Sequence, residues 1–177
     1  MKVEIQIVEE GAVLPACMSE GAVGYDLYVP QDTLVNVGRN IVPLGFKMAI
    51  SKDVLGLIKG RSGFDAKGME GYLFNECPYK ENLSLEENLK ILEFYDKKLI
   101  RLDVDVVLGA IDPDYRGVPG VIVKNNEPFP LVIPAGTRIA QMIFIPVAKP
   151  DMVLVEHLEG TERGEGGFGH TGSGTIK

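Results

Sequence analysis

The sequence predicts an all-β domain, and three observations carry that reading. Its apolar residues fall in short runs, each bounded by glycine, proline or another turn former. Glycine and proline together make up about 18% of the chain, against an average near 12%. Yet 45% of the residues are hydrophobic, which sets the chain apart from disordered, turn-rich sequences. Its 177 residues suit one domain. That length buries a core without metal or disulfide staples, in keeping with two widely spaced cysteines, Cys17 and Cys77, that form no disulfide framework.

Taken in order, Val3, Ile5 and Ile7 alternate with Glu4 and Gln6, the pattern of a half-buried strand. This start is no signal peptide, and no apolar run approaches the roughly 18 residues of a membrane span, so a cytoplasmic protein is expected. Further apolar runs occupy 40–50, 54–59, 104–108, 120–124, 130–133, 139–147 and 152–157, a spacing that fits a sandwich or barrel. One segment differs. Ser84 and Glu87 form a capping box, and Leu85, Leu89, Leu92 and Leu99 recur at near-helical spacing. This predicts one amphipathic helix near 84–98, with Glu86, Asn88, Lys90, Glu93, Lys97 and Lys98 on its polar face. The tail carries glycine at 164, 166, 167, 169, 172 and 174. Ordering such a chain costs too much entropy for it to hold a fixed shape alone, so a flexible flap bearing Arg163 and Phe168 is expected.

Charge and motif arithmetic narrow the chemistry. The formal net charge is −7, which argues against a sequence-independent duplex binder but not against a small anion held locally. Two G-x-G-x-x-G matches, at 164–169 and 167–172, are followed by only five residues. No helix can form there to hold a dinucleotide. There is no P-loop run, no zinc spacing among His157, His170 and the cysteines, and no nucleophile elbow. What remains are polar residues in turns. Gly60-Arg61-Ser62-Gly63 offers a planar guanidinium fork, a hydroxyl and an open backbone, a plausible phosphate cradle. Gly109 to Gly117 sets Asp112 and Asp114 around a proline beside Tyr115, which reads either as a solvated hairpin turn or as a carboxylate base beside an aromatic wall.

The order of these segments resembles the homotrimeric dUTP diphosphatase family, which has five motifs in fixed order. GAVGYDLY at 21–28, GRSG at 60–63, DVVLGAIDPDYRG at 105–117, GTRIAQMIF at 136–144 and RGEGGFGHTG at 163–172 look like the five. The resemblance implies a distorted β jelly roll (barrel) whose three subunits share three active sites. It implies hydrolysis of dUTP to dUMP and pyrophosphate, with Asp112 activating the water that attacks the α-phosphorus. Tyr115 would pack on the deoxyribose and exclude a 2′-hydroxyl. Uracil would be read by backbone groups running from Val106 through Gly109, Ala110 and Ile111, with Gly120 on the returning strand. Arg61, Ser62, Gly63 and Gln141 match phosphate contacts, and Arg138 matches a residue that supports the fold. Asp26 matches an acid that holds the water shell of Mg2+, the ion being bound mainly by the triphosphate. The tail would close as a lid from another subunit, Phe168 stacking on uracil with Gly169 beside it and Arg163 gripping phosphate.

On this reading residues 1–160 form the β domain, including a helical insert at about 66–102, and 161–177 form the lid. The departures from the family pattern are the length between the second and third motifs, Asp65 beside the phosphate cradle, Val118-Pro119 after the third motif, and His170 where many members have serine. Two alternatives remain open. A dCTP deaminase shares the fold but needs a glutamate on the strand after the third motif, and 120–124 has none. A nucleotide-dependent interaction protein would use the insert to bind a protein partner. No nucleic acid or membrane partner is expected, and the location is cytoplasmic, in the host cell if the source is viral.

Overall fold

Thirteen strands and two short helices follow one another in a computed structural model that describes residues 2–74, 83–92 and 97–166. The strands are β1 (Glu4–Ile7), β2 (Gly24–Tyr28), β3 (Thr33–Val35), β4 (Gly38–Pro43), β5 (Phe46–Ala49) and β6 (Val54–Lys59). After helix α1 (Ser62–Lys67) come β7 (Met69–Phe74), helix α2 (Leu85–Leu92) and β8 (Lys97–Leu102). The chain then runs through β9 (Val104–Val107), β10 (Gly109–Ile111), β11 (Gly120–Asn125), β12 (Leu131–Ile133) and β13 (Arg138–Pro146). All pairings are antiparallel, in four sheets ordered β1-β5, β10-β6-β13-β2, β4-β11-β9 and β3-β12-β7-β8. The all-β class holds, but each sheet is open among the described residues, so the expected barrel does not close by hydrogen bonding. No described helix is long and apolar enough to cross a membrane.

Alternation places the core. Along β6, Val54, Gly56 and Ile58 are buried while Leu55, Leu57 and Lys59 are partly exposed. Along β11, Val121, Val123 and Asn125 point inward. This is the two-residue period of a strand with one covered face. Leu27, Val42, Phe46, Ile58, Met69, Leu102, Val121, Leu131 and Met142, drawn from all four sheets, join one contiguous cluster. Each such side chain contributes roughly 1.5–3 kcal/mol on burial. Asn125 is buried as well, and its amide is satisfied by donating to the Phe129 carbonyl at 2.9 Å and accepting from the Glu127 N–H at 3.0 Å.

Several boundaries differ from the sequence reading. The run at 40–50 divides at Gly45, whose φ of +71° is open to glycine and turns β4 into β5. The predicted strand at 152–157 forms no ladder, and 151–160 has no regular structure. Met152, Leu154 and Leu158 are 89%, 99% and 88% exposed, because none of the described residues lies beside them to pair with. The predicted helix at 84–98 is shorter than expected. The described helix ends at Leu92, and Lys97 and Lys98 belong to β8, paired with Phe74 and Leu73. Its start is as the spacing predicts. The Ser84 hydroxyl and N–H donate to the Glu87 carboxylate at 2.7 and 2.8 Å, and the Glu87 N–H donates back to the Ser84 hydroxyl at 3.3 Å. Those two bonds to Glu87 hold its carboxyl below the usual carboxylate range. Asn88 is buried instead of lying on the polar face, and its amide donates to the carbonyls of Leu83 and Ser84.

Pro119 stands one residue before β11, where a missing N–H costs no ladder bond, and its carbonyl accepts from the Leu44 N–H at 3.0 Å.

Candidate functional site

The first, second and fourth motifs meet at one end of the four-stranded sheet β10-β6-β13-β2. Register sets Asp26 of β2 opposite Gln141 of β13, and Gln141 opposite Lys59 of β6. Just beyond Lys59 the chain turns through Gly60 and Arg61 into α1. No sequence pattern predicts this helix, since six residues are too few to show a period. It is anchored by buried Phe64, capped by extended Arg61, and closed by Gly68 at φ +76°, whose N–H donates to the Phe64 carbonyl at 2.9 Å.

Asp26 is the electrostatic centre of this end, at 6% exposure. Its Oδ1 accepts from Arg61 Nε at 3.0 Å and its Oδ2 from Arg138 Nη1 at 3.2 Å. Arg61 Nη1 also donates to the Arg138 carbonyl at 3.4 Å. A buried carboxylate between two guanidinium groups satisfies the rule that interior charges must be paired. Gln141 Nε2 donates to the Gly60 carbonyl at 2.9 Å, and its side chain lies where a Cβ on Gly24 would sit. Arg138 thus holds Asp26, while Gln141 holds the backbone of the cradle turn. Ser62 and Gly63 are exposed, with nothing within 4 Å of where a Cβ on Gly63 would stand. The Asp65 carboxylate folds back over Gly60, so its direction, unreadable in the sequence, is away from Gly63.

Asp112 stands at the other end of the same sheet. Gly109, Ala110 and Ile111 pair with Ile58, Leu57 and Gly56 of β6, which sets Asp112 level with Leu55. Arg61 lies six residues on from Leu55, two past the end of β6. At about 3.3 Å per residue the two are on the order of 20 Å apart in one chain. They also line different clefts. Asp112 and Asp114 face one of about 690 Å3 with Lys52, Arg116 and Lys149, while Arg61 and Arg138 face one of about 440 Å3. Asp112 is exposed, and its carboxylate has no hydrogen-bond or ion-pair partner among the described residues; its carbonyl closes the turn by accepting from the Tyr115 N–H at 3.1 Å. Tyr115 is half-exposed, its ring folded over Gly117 and its hydroxyl donating to the Val118 carbonyl at 3.2 Å.

The expected base-reading segment runs from Val106 of β9, opposite Val123 of β11, across Leu108 into β10, changing sheets as it goes. Open space lies over Gly109, but Gly120 is covered, since a Cβ there would strike Ile41. The bare backbone of Gly109 is therefore accessible, whereas that of Gly120 is a packing requirement of its pairing with Pro43 in β4. Arg163 is exposed and its Nε donates to the Gly166 carbonyl at 2.8 Å. Phe168 and Gly169, with the rest of the tail from 167, lie outside the described residues.

Two cations absent from the sequence reading line the 440 Å3 cleft beside Arg61 and Arg138. They are Lys67 of α1 and Arg101 of β8. Nothing in the spacing points to Arg101, since only the β7–β8 register brings it back beside α1.

Comparison with known proteins places this architecture. The dUTPase of Staphylococcus bacteriophage 80alpha, solved as a point mutant with dUpNHpp, superposes with a TM-score of 0.72 over 97% of this chain and 98% of that one, at 19% identity. A point-mutant dUTPase from phage phi11 of S. aureus, described with a structural Mg(II) ion, covers 90% of this chain and 100% of its own with a TM-score of 0.66, at 16% identity. The fold is that of the phage dUTPases. The dUTPase family model matches residues 10–75 and 97–172. The deoxyuridine 5'-triphosphate nucleotidohydrolase of Syntrophotalea carbinolica is 34% identical over 173 residues, 96% of each chain. The chain belongs to the dUTPase family.

Proposed function

We propose that the chain hydrolyses dUTP to dUMP and pyrophosphate in active sites that each draw on more than one copy of it. The family supports the reaction. The assembly rests on the register that sets Asp112 level with Leu55, near the start of β6, while Arg61 follows its end. That spacing favours a triphosphate that meets the two groups on different subunits. A second copy that brings its Asp112 turn to the Arg61 end completes the site. The exposed apolar run at 152–158 supports the same reading, because it supplies surface that a neighbouring copy can cover. A homotrimer with three shared sites meets both needs.

In that assembly Asp112 accepts the proton of the attacking water. Free of a partner among the described residues, its carboxylate has lone pairs available for the task. The accessible backbone at Gly109 lies beside it for the base, with Val106, Ala110 and Ile111 continuing the same edge. Tyr115 faces the sugar. Arg61, Ser62 and Gly63 receive the phosphates, Gln141 fixes the turn that presents them, and Arg163 with Phe168 and Gly169 closes over the nucleotide. Gly120 holds the returning strand in place.

No three acidic, histidine or cysteine side chains converge as a metal cage among the described residues. Asp26 already serves two guanidinium groups, but each of its oxygens keeps a second lone pair for a metal-bound water. This donor set fits an Mg2+ carried by the triphosphate. When bound, the ion would offset phosphate charge.

The test is turnover of dUTP, UTP and dCTP by the purified protein. Pyrophosphate and dUMP should appear from dUTP, with UTP slower by at least tenfold and no ammonia from dCTP. Equal rates with UTP, or no turnover, would refute the reading.

A further inference from the structure

Four cations converge on the cleft beyond the cradle. Arg61, Lys67, Arg101 and Arg138 line it, and Glu70 is the only acid among its lining residues. Asp26 behind Arg61 and Arg138 brings the acids to two, so the cleft keeps a positive excess in a chain of net charge −7. Asp65, on the same helix, turns instead over Gly60. Gathering like charges in one concavity is unfavourable unless an anion answers them.

Arg101 reaches the cleft through the β7–β8 ladder. Met69 and Leu102 pair and are both buried, so the next pair, Glu70 and Arg101, points outward. Arg101 Nη2 donates to Glu70 Oε1 at 2.8 Å and Nη1 to the Gly68 carbonyl at 3.3 Å. These contacts seat the guanidinium over the end of α1 and leave donors unspent, since the group has five. The Lys67 ammonium has no hydrogen bond or ion pair among the described residues. The family match breaks off at 76–96, between β7 and β8, so Arg101 stands on the strand that follows the unmatched segment.

We propose that Arg101 and Lys67 extend the cradle into a subsite for an oligophosphate anion, occupied by inorganic pyrophosphate as it leaves the reaction. That choice of occupant rests on the hydrolysis proposed above. The guanidinium forks of Arg61 and Arg101 match phosphate oxygens in pairs, and Lys67 adds a point charge. Glu70 holds Arg101 in place and competes with the anion for it.

Titration calorimetry with sodium pyrophosphate on the full chain tests this. Arg101→Gln should weaken binding about tenfold, the loss of one charge-assisted contact, and Lys67→Gln several-fold. Arg101→Lys should fall between wild type and Arg101→Gln. Glu70→Gln should instead tighten binding several-fold. A merely structural Glu70–Arg101 pair would leave the affinity alike in all four variants, and that result, or no pyrophosphate binding by wild type, would overturn the proposal. Because the pair is exposed, its loss should move the melting temperature little, which a thermal scan of each variant verifies. The dUTP assay separates the two readings. Arg101-dependent pyrophosphate binding without dUTP turnover would sustain the subsite and remove the hydrolysis. Normal turnover with Arg101-independent binding would do the reverse.

Discussion

Asp112→Asn is expected to lower kcat for dUTP by about 10²–10⁴-fold, the usual contribution of a positioned general base. The amide keeps the size and shape of the carboxylate but cannot accept the proton of water. KM should change little, because the proposed phosphate contacts come from Arg61, Ser62 and Gly63 at the opposite end of β6. Stability should also hold, since Asp112 is exposed and its side chain has no partner to lose among the described residues. Initial rates with dUTP and a thermal melt together check this. A variant within about twofold of wild type in kcat would exclude Asp112 as the base.

Asp26→Asn is expected to act on the fold itself. The carboxylate is buried, and two guanidinium groups depend on it for countercharge. Removing one member of a buried pair typically costs about 3–5 kcal/mol, since the remaining charge is left uncompensated. Here Arg61 and Arg138 remain 28% and 43% exposed and can recover some hydration, so about 2–4 kcal/mol is the appropriate scale. For a chain of this size that lowers the melting temperature by roughly 5–15 °C. The same change unties β2 from the turn after β6 and from the start of β13, so dUTP affinity should fall with it. Differential scanning calorimetry checks the first effect. A shift below about 2 °C would mean that the two arginines stand on other contacts.

These two residues also show how far the sequence could be read. Residues 54–59 are a short apolar run closed by Gly60, and β6 forms at those limits. The Ser84–Glu87 capping box is a local contract between neighbours, and it forms as written. Where the deciding interaction is distant in sequence, the reading fails. Leucine spacing extends the helix to 98, but Lys97–Leu102 gains more from pairing with Met69–Phe74 and forms β8. The run at 152–157 has strand composition yet no partner strand among the described residues. The identities of Asp26, Arg61 and Asp112 are legible as motif residues. Their arrangement is not, because it follows from the Ile111–Gly56 and Gln141–Lys59 registers, which no local pattern encodes. Arg101 is the extreme case, an unremarkable strand residue until the ladder sets it beside Gly68.

In the proposed assembly Asp112 and Arg61 serve the same site from different copies of the chain. Co-expressing Asp112→Asn and Arg61→Ala chains, each with its own tag, and isolating the mixed oligomer tests this directly. Each variant alone should be nearly inactive. In the mixed oligomer, some sites pair an intact Asp112 from one copy with an intact Arg61 from another, and dUTP turnover should return to a substantial fraction of wild type. If both residues act from one chain, every site in the mixture carries a defect, and activity that stays at the level of the separate variants would contradict the account.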